Sequence, residues 1–296
     1  MNASQTLPFQ MAVRRPRTPW ALFWGRFRKD WAALVGLGII FGILGLAAAA
    51  PLVPALKPEL QDLALRRSPP SAGHPFGLDH LGRDILSRVA HGARFTVGAA
   101  VVATLIALFA GVAIGLVAGF WGGLVDEVST RVVEVMLAFP YLLLAILIVA
   151  ILGPGLASAT VAVGITKIPH YARVTRAAVL SLRHSDYVDA ARVIGATDAG
   201  ILARHILPNA MAPILVLATV GLGADVLSIA GLGFLGLGAQ PPTPEWGLMV
   251  SEGRSYLFEA SHIIVFPGVF LMLLVLGFNL MGDGLRDALD PRLRRR

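Results

Sequence analysis

Two ionisable residues interrupt stretches of the chain that are otherwise almost entirely apolar. Lys167 lies in VGITKIPHYAR, two residues before Pro169, and Asp225 lies in the middle of ATVGLGADVLSIAGLG. Because a charge inside a membrane span is costly unless it is paired or hydrated, such residues often line the path of an ion or a solute. We therefore select Asp225 and Lys167 as translocation-pathway candidates. The alternatives are snorkelling of Lys167 toward the membrane face and a buried capping or pairing role for Asp225.

No pattern of residues indicates catalysis. The chain has neither a G-x-x-x-x-G-K-[ST] phosphate loop nor an H-E-x-x-H zinc helix. The stretch GLGFLG (231–236) matches the dinucleotide pattern G-x-G-x-x-G, but it ends an apolar segment, whereas that site needs a strand–turn–helix unit. The seven His are scattered, and the absence of Cys excludes disulfides and thiolate metal sites. We predict no catalytic residue, no metal and no cofactor bound by this chain, which would make it a non-enzymatic protein.

The distribution of apolar residues indicates which elements hold these side chains. The 296 residues are 56% hydrophobic and 15% charged, and the apolar residues fall in blocks of about 20, the length of a helix that crosses a bilayer. Most blocks lack the polar stripe of a soluble helix. We predict an all-α integral membrane protein with six transmembrane helices, at 32–54, 96–120, 132–152, 156–178, 210–236 and 263–282.

Orientation follows from the positions of the basic residues. With the N-terminus in the cytosol, 18 of the 25 Lys and Arg residues lie inside, which favours an N-in/C-in topology by the positive-inside rule. The same rule explains the net charge of +7, so we expect a lipid bilayer and no nucleic acid around the chain. The stretch LGLAAAAP (44–51) resembles a signal-peptide cleavage site, but the long charged segment before it and Pro51 favour an uncleaved anchor.

The outside segment HPFGLDHLGRDILSRVAHGAR (74–94) is predicted to contain a short amphipathic helix of its own. Asp79 can cap the start of this helix, which would lie on the membrane or pack on the spans. Its apolar face is formed by residues at spacings of three and four, namely Leu78, Leu81, Ile85 and Val89.

Three glycines in the second predicted span recur at four-residue spacing, at Gly111, Gly115 and Gly119. Small residues at this period let two helix backbones approach closely inside a membrane. Glycine is also frequent in membrane helices for no particular reason. In both cases the glycines concern helix packing and carry no chemistry.

The segment HSDYVDAARVIGATDAGILARHILPN (184–209) is charged and helix-forming, although it lies between two apolar spans. Asp186 can cap a first helix, with Asp189 in the position of a capping box. Gly195 can end that helix in the left-handed conformation. We therefore predict a helix followed by a tight glycine turn.

A second helix is predicted to start at Thr197 or Asp198 and to stop at Pro208. Its apolar stripe consists of Ile201, Leu202 and Ile206. The helix–glycine–helix unit resembles a DNA-reading helix-turn-helix, but a unit tethered between two spans could hardly reach a DNA groove. A compact amphipathic hairpin on the cytosolic face is better suited to docking in a groove of another protein.

These residues resemble the EAA loop of ABC-transporter permease subunits, with Asp189, Ala190, Ala191, Gly195 and Ile206-Leu207-Pro208 matching its motif. The resemblance extends to three other segments. HPFGLDHLGRDILSR (74–88), GFLGLGAQPPTPEWGLM (233–249) and FNLMGDGLRDALDPRL (278–293) are similar to the C-type permeases of the dipeptide, oligopeptide and nickel importers. RTPWALFWGRFRK (17–29) is particularly similar to the glutathione-importer permeases of that family.

The resemblance implies a type I ABC-importer permease fold in a bacterial inner (plasma) membrane, with a cytosolic coupling hairpin between spans four and five. In that family the loop enters a cleft on a cytosolic ATPase. The coupling residues carried over are Asp186, Tyr187, Asp189, Ala190, Ala191, Gly195, Ala196, Ile206, Leu207 and Pro208. Asp189 stands where the family has Glu. Ile229 replaces the Glu of the family stretch ESSLSFLGLG, so no role of that Glu carries over.

The resemblance also implies the partners and the cargo. A second, non-identical permease would complete a heterodimer, two ATPase subunits would bind ATP and Mg, and an extracytoplasmic protein would deliver the substrate. The substrates would be di- or oligopeptides, or alternatively glutathione or nickel complexes. The implied parts are a cytosolic basic segment (1–31), the first span with its outside loop (32–95), a core of five spans (96–282) and a cytosolic tail (283–296).

Two other classes of protein compete with this interpretation. A proton-coupled secondary carrier could use Asp225 and Lys167, but it would need inverted repeats, which the sequence does not display, and it would leave the 184–209 hairpin unexplained. A membrane scaffold without transport would not need ionisable residues inside its spans.

Overall fold

The computed structural model describes residues 24–53 and 55–289. Across these ranges the regular structure is helical, apart from one isolated bridge between Leu78 and Asp84. The α-helices are α1 (Trp31–Ala49), α2 (Ile85–Trp121), α3 (Gly123–Ala138), α4 (Tyr141–Leu152), α5 (Leu156–Leu182), α6 (Asp186–Val193), α7 (Asp198–Ile201), α8 (Leu207–Phe234), α9 (Trp246–Gly253) and α10 (His262–Leu289). Short 3₁₀ turns lie at Ala50–Leu52, Leu63–Leu65 and Arg254–Tyr256, and a π turn lies at Leu202–Ile206.

Four helical segments in the described part of the chain are long and apolar enough to cross a membrane: Trp31–Leu52, Ile85–Trp121, Asp198–Phe234 and His262–Leu289. Helices α3 and α4 together would make a fifth span, although they meet at an angle of 94°. Helix α5 has 27 residues, which is ample length for a crossing, but it is less apolar than the others. The all-helical membrane architecture predicted from the sequence is confirmed, while the number six stays a prediction.

The predicted span at 132–152 is not one straight helix. Helix α3 ends at Ala138, and Pro140 precedes the first residue of α4. Proline cannot donate a backbone hydrogen bond and its ring clashes with the preceding turn, so a helix rarely runs straight through it. The other end of α3 is also a corner, because Gly122 and Gly123 have φ values of 68° and 58°. A charged helix, α3, therefore lies as a separate element between two sharp turns.

The glycine stripe of α2 packs directly on α5. A Cβ added at Gly115 would lie 2.5 Å from the Ala172 carbonyl oxygen, and one added at Gly119 would lie 2.8 Å from Val179 Cβ. At Gly111 the Ile168 carbonyl oxygen would be 2.7 Å away. Such distances leave no room for a side chain, so the three glycines lie at a close helix contact, which is the first of the two alternatives that the sequence left open.

The first apolar helix is an integral part of the bundle. Helix α1 packs along α10, where a Cβ added at Gly36 would meet the Gly277 carbonyl oxygen at 2.7 Å and Leu280 Cβ at 2.8 Å. Its start is capped by Asp30, whose carboxylate accepts from the Ala32 amide at 3.0 Å. This packing agrees with a permanent anchor.

The prediction of a separate amphipathic helix within 74–94 is wrong. Asp79 caps no helix; its carboxylate instead accepts from the Leu81 amide at 2.8 Å and pairs with Arg83. The helix starts at Ile85, where Asp84 accepts from the Ser87 amide at 2.7 Å, and it continues unbroken to Trp121. Of the predicted apolar face, Ile85 and Val89 are helical and buried, whereas Leu78 and Leu81 precede the helix. Nothing after residue 85 ends the helix, so it merges with the second span.

Candidate functional site

The 184–209 segment folds as the predicted hairpin, with a different start. Ser185 is the N-cap residue of α6 and Asp186 is the first helical residue, so the predicted Asp186 cap is wrong. The Ser185 hydroxyl donates to the Leu182 carbonyl and is turned away from the helix start. Asp189 makes an exposed ion pair with Arg192 at 3.1 Å. Its side chain thus points along the surface of α6 rather than back toward the N-cap.

The turn of the hairpin matches the prediction. Gly195 has φ +85°. The Ala196 amide donates to the Ala191 carbonyl and the Gly195 amide donates to the Arg192 carbonyl, each at 3.0 Å, which is the bonding pattern of a Schellman motif. Thr197 caps the second helix by accepting from the Gly200 amide at 3.2 Å.

The predicted end of the second helix at Pro208 is wrong. Helix α7 passes into the π turn and then into α8 without a break, so residues Asp198–Phe234 form one helical rod of 37 residues. Pro208 lies in the first turn of α8. The wider π turn that precedes Pro208 shifts the backbone hydrogen-bond pattern at the point where the proline would otherwise interrupt the helix. The hairpin is therefore continuous with the span that follows it.

One side of the hairpin is buried against the ends of α2 and α5. Val188, Ile201 and Ile206 are fully buried and pack with Phe120 and Val179. Among the coupling residues named from the family, Ala191 and Ile206 are buried and Ala196 and Leu207 are half-buried. Exposed are Asp186, Tyr187, Asp189, Ala190, Gly195 and Pro208.

An apolar tip was missed by the sequence analysis. Val193 is 87% exposed and Ile194 is 84% exposed, immediately before the Gly195 turn. Two large apolar residues beside a charged helix were the available signal. Isolated exposed apolar residues need no explanation, but a pair at the projecting end of a folded hairpin suits a protein contact.

The two intramembrane candidates lie together. Lys167 Nζ is 3.9 Å from Asp225 Oδ1, and the Thr104 hydroxyl donates to Asp225 Oδ2 at 2.7 Å. The Lys167 ammonium also lies 4.9 Å from the centre of the Tyr141 ring. Asp225 is thus buried and paired, which was the alternative to a cavity-facing role. The Lys167 side chain extends toward Asp225 and Tyr141 and stays partly exposed. Thr104 carried no recognisable signal, since hydroxyl residues are common in apolar helices.

A second ion pair attaches the isolated helix α3 to α5. Arg176 Nε donates to Asp126 Oδ1 at 2.5 Å, and another guanidinium nitrogen donates to Oδ2 at 2.6 Å. Arg183 donates to the Gly119 carbonyl at 3.1 Å near the same end of α2. The bidentate geometry fixes orientation as well as distance, so α3 is held against α5.

Buried charges join α9 to the loop before α2. Arg83 donates to Asp79 at 2.6 Å, and Arg83 and Arg88 both donate to Glu252, at 3.0 and 3.1 Å. Asp79 and Glu252 lie near enough to His80 to form a metal-binding group by distance alone. The two buried guanidinium groups already neutralise both carboxylates, so the residues present fit an ion-pair network better than a metal site.

The segment QPPTPEWG holds a buried acid that the sequence analysis did not single out. Glu245 is fully buried and accepts from the amides of Gly247 and Leu248, at 2.9 and 2.8 Å, and from the Thr96 hydroxyl at 3.2 Å. Burial raises the pKa of Glu245, and these three hydrogen bonds oppose the rise. Ile229, at the family's Glu position, is fully buried in the apolar core.

Comparison with known proteins assigns the family. Residues 111–295 match the family described as binding-protein-dependent transport system inner membrane component, and residues 18–70 match the N-terminal TM domain of oligopeptide transport permease C. The chain is 45% identical to the dipeptide transport system permease protein of Alkalihalophilus pseudofirmus, over 94% of this chain and 91% of that protein. It is 46% identical to the glutathione transport system permease protein of Escherichia coli O1:K1, over 94% and 92%.

A solved structure is similar in fold. A chain of the methionine ABC transporter MetNI, in an inward-facing conformation, has a TM-score of 0.55 at 22% identity, over 69% of this chain and 96% of that chain. The helical architecture and the high identity to transport permeases agree with one another. This chain belongs to the family of binding-protein-dependent transport system inner membrane components.

Proposed function

We propose that this chain is one of two permease subunits of an ATP-driven importer for di- or oligopeptides. The observation that carries the proposal is the hairpin: its inner side is buried, its apolar tip at Val193 and Ile194 is exposed, and its second helix is continuous with the span that ends at Phe234. A protein bound at the tip could move that rod directly. A peptide substrate is supported by the names of the relatives, and glutathione or a nickel complex is the alternative cargo.

The proposed topology has six spans with both termini in the cytosol. The four apolar helical segments supply four spans, the bent pair α3–α4 supplies the fifth crossing and α5 supplies the sixth. In this arrangement the hairpin is cytosolic, and the Arg83–Glu252 network lies outside.

The proposed partners follow from this arrangement. Two ATPase subunits would bind ATP and Mg, and one of them would take the hairpin tip in a groove. A second, non-identical permease would cover part of the apolar surface, where α4 exposes Leu143, Leu147 and Ile151. An extracytoplasmic binding protein would deliver the substrate to the outer face. This chain would be embedded in the bacterial inner membrane and would catalyse no reaction.

In the proposed mechanism, closure of the ATPases moves the hairpin and thereby the helix ends it packs on. The hairpin core touches Phe120 of α2 and Val179 of α5, and the glycine stripe holds those two helices at close distance. The three elements would therefore move as a unit, and the cavity between the two permeases would alternate between its outward and inward openings. A proton-coupled carrier is not favoured, because family membership and the hairpin both indicate coupling to partner subunits.

The proposal is tested by reconstitution. The chain, its partner permease, the ATPases and the binding protein are placed in vesicles, and uptake of a radiolabelled dipeptide is measured with ATP and with a non-hydrolysable ATP analogue. We expect accumulation only with ATP. Omitting this chain from the mixture is the control. ATP-dependent uptake that persists without this chain would contradict the assignment.

A further inference from the structure

The face of α5 opposite the glycine stripe is polar and accessible. The stripe covers the side that carries Ile168, Ala172 and Val179. On the other side, His170 and Arg173 are exposed and Lys167 is half-buried. Lys167 lies 11 residues into a helix of 27, which at 1.5 Å per residue is about 17 Å from the helix start. A cationic face at this depth is unfavourable against lipid, so it is expected to border water or solute.

The Lys167–Asp225 pair differs from the structural ion pairs of the same molecule. Arg83–Asp79 and Arg176–Asp126 have direct hydrogen bonds of 2.5–2.6 Å. Lys167 Nζ and Asp225 Oδ1 are 3.9 Å apart, which is beyond hydrogen-bond distance. Within the described residues, buried Asp225 Oδ1 has no hydrogen-bond partner. The pair therefore neutralises charge without using up the donors of the ammonium group.

The two members of this pair are also held differently. Asp225 is fixed, because its other oxygen accepts from Thr104 and its side chain is 2% exposed. The Lys167 side chain is 20% exposed and rests on the face of Tyr141. An incoming anion can thus approach Lys167 but cannot displace Asp225 from its place. The Tyr141 ring adds a favourable cation–π contact that keeps the ammonium group oriented.

From these observations we propose that Lys167 binds a carboxylate group of the transported solute as it crosses the membrane, with Asp225 and Tyr141 as positioning residues. The inference rests on the proposed transport function and adds the chemical group that is recognised. The ligand would bear at least one free carboxylate, such as the C-terminus of a peptide. Contact with the substrate carboxylate would replace the loose pairing to Asp225 with a direct charge-assisted hydrogen bond.

The test compares a dipeptide with its C-terminal amide in the reconstituted complex, for the wild type, Lys167→Met and Lys167→Arg. Since each peptide is delivered by the same binding protein throughout, the effect of delivery cancels when a variant is compared with the wild type. We expect Lys167→Met to lower uptake of the acid about tenfold or more and to change uptake of the amide less than about twofold. Lys167→Arg should keep most of the uptake of the acid.

Assembly with the partners and ATPase stimulation by loaded binding protein are measured on the same samples. If the wild type transports too little of the amide for a ratio to be measured, loss of acid uptake in Lys167→Met with assembly and ATPase stimulation both retained supports the proposal. If Lys167→Met loses assembly as well as acid uptake, the proposal is overturned. Equal losses for acid and amide, or no loss, also overturn it. Failure of the wild type to carry any dipeptide would instead contradict the peptide-importer proposal itself.

Discussion

Gly195 is the residue on which the shape of the hairpin depends. Its φ of +85° lies in the left-handed region, and a Cβ at this position would meet no atom within 4 Å. A substitution here therefore acts through backbone conformation and not through collision. The Schellman bonds at the Gly195 and Ala196 amides exist only while that conformation is held.

We predict that Gly195→Val reduces ATPase stimulation by loaded binding protein severalfold in reconstituted vesicles. A β-branched residue in the left-handed conformation is strained by about 1–2 kcal/mol or more, which should tilt α6 relative to the rod Asp198–Phe234. Gly195→Asn is the matched control, because Asn tolerates this conformation, and it should retain most of the stimulation. Wild-type transport by Gly195→Val would mean that the hairpin is a passive connection.

Asp189 does not take the capping-box position predicted for it, but its place on the surface still suits contact with a partner protein. Its carboxylate lies on the exposed surface of α6 beside Arg192, and exposed pairs of this kind contribute little to stability. The position is therefore free to contact a partner, which is the role that the family resemblance implies for it.

The glycine stripe in the sequence indicated a close helix contact, and in the structure this contact is the packing of α2 on α5. We predict that Gly115→Val lowers the thermal unfolding midpoint in detergent, since the new side chain would collide with the Ala172 carbonyl and Thr175 Cβ at 2.5–2.6 Å. Overpacking of this kind costs about 1–3 kcal/mol. Gly98→Val, on an exposed part of α2 with nothing within 4 Å, is the control and should be nearly neutral. Equal midpoints for the two variants would show that α2 and α5 separate easily.

The start of α2 provides a second element-scale prediction. Asp84 caps the helix at Ser87 and also pairs with His74 at 2.9 Å. Asp84→Ala should lower stability by about 0.5–2 kcal/mol, measured by denaturant unfolding in detergent. Asp84→Asn keeps the cap while removing the charge, so it should lie close to the wild type. If Asn were as damaging as Ala, the His74 pair would outweigh the cap.

The rod Asp198–Phe234 changes how the hairpin is understood as an element. A second helix ending at Pro208 would have left a flexible joint between the docking surface and the membrane. Because the π turn carries the helix through Pro208, the proposed mechanism would transmit a displacement at the tip along a helical rod of 37 residues. The buried contacts of Ile201 and Ile206 with Phe120 and Val179 would then spread that motion to two further helices.

At the scale of the molecule, topology can be tested because the chain lacks Cys. Cysteines placed singly at the exposed positions Ser71 and Ser261 should react with an impermeant maleimide from outside intact cells. A cysteine at the exposed hairpin position Ala199 should react only after permeabilisation. Labelling of Ala199→Cys from outside would overturn both the orientation and the proposed ATPase contact.

The isolated chain should neither bind nor hydrolyse ATP measurably. Its sequence contains no phosphate-cradling loop. In the described residues, the charged side chains that lie close together form ion pairs with one another. The measurement is phosphate release by the purified chain, with the full complex as the positive control. Robust hydrolysis by the chain alone would contradict its role as a permease subunit.

Local features were predictable from the sequence because neighbouring residues determine them. Apolar block length and composition indicate membrane helices, small residues at a four-residue period indicate close packing, and glycine after an amphipathic helix indicates a left-handed turn. The positions of Gly115 and Gly195 in the structure agree with those arguments. Each depends on hydrogen bonds or spacings within a few residues along the chain.

Other features were decided only by tertiary structure. Lys167 and Asp225 meet because two helices pack side by side, and the residue that fixes the carboxylate, Thr104, comes from a third. Pro208 favours a helix end by local rules, but burial of Ile206 and the π turn outweigh that preference. A single sequence specifies which residues can pair or cap, whereas the choice among them depends on which surfaces the whole bundle buries.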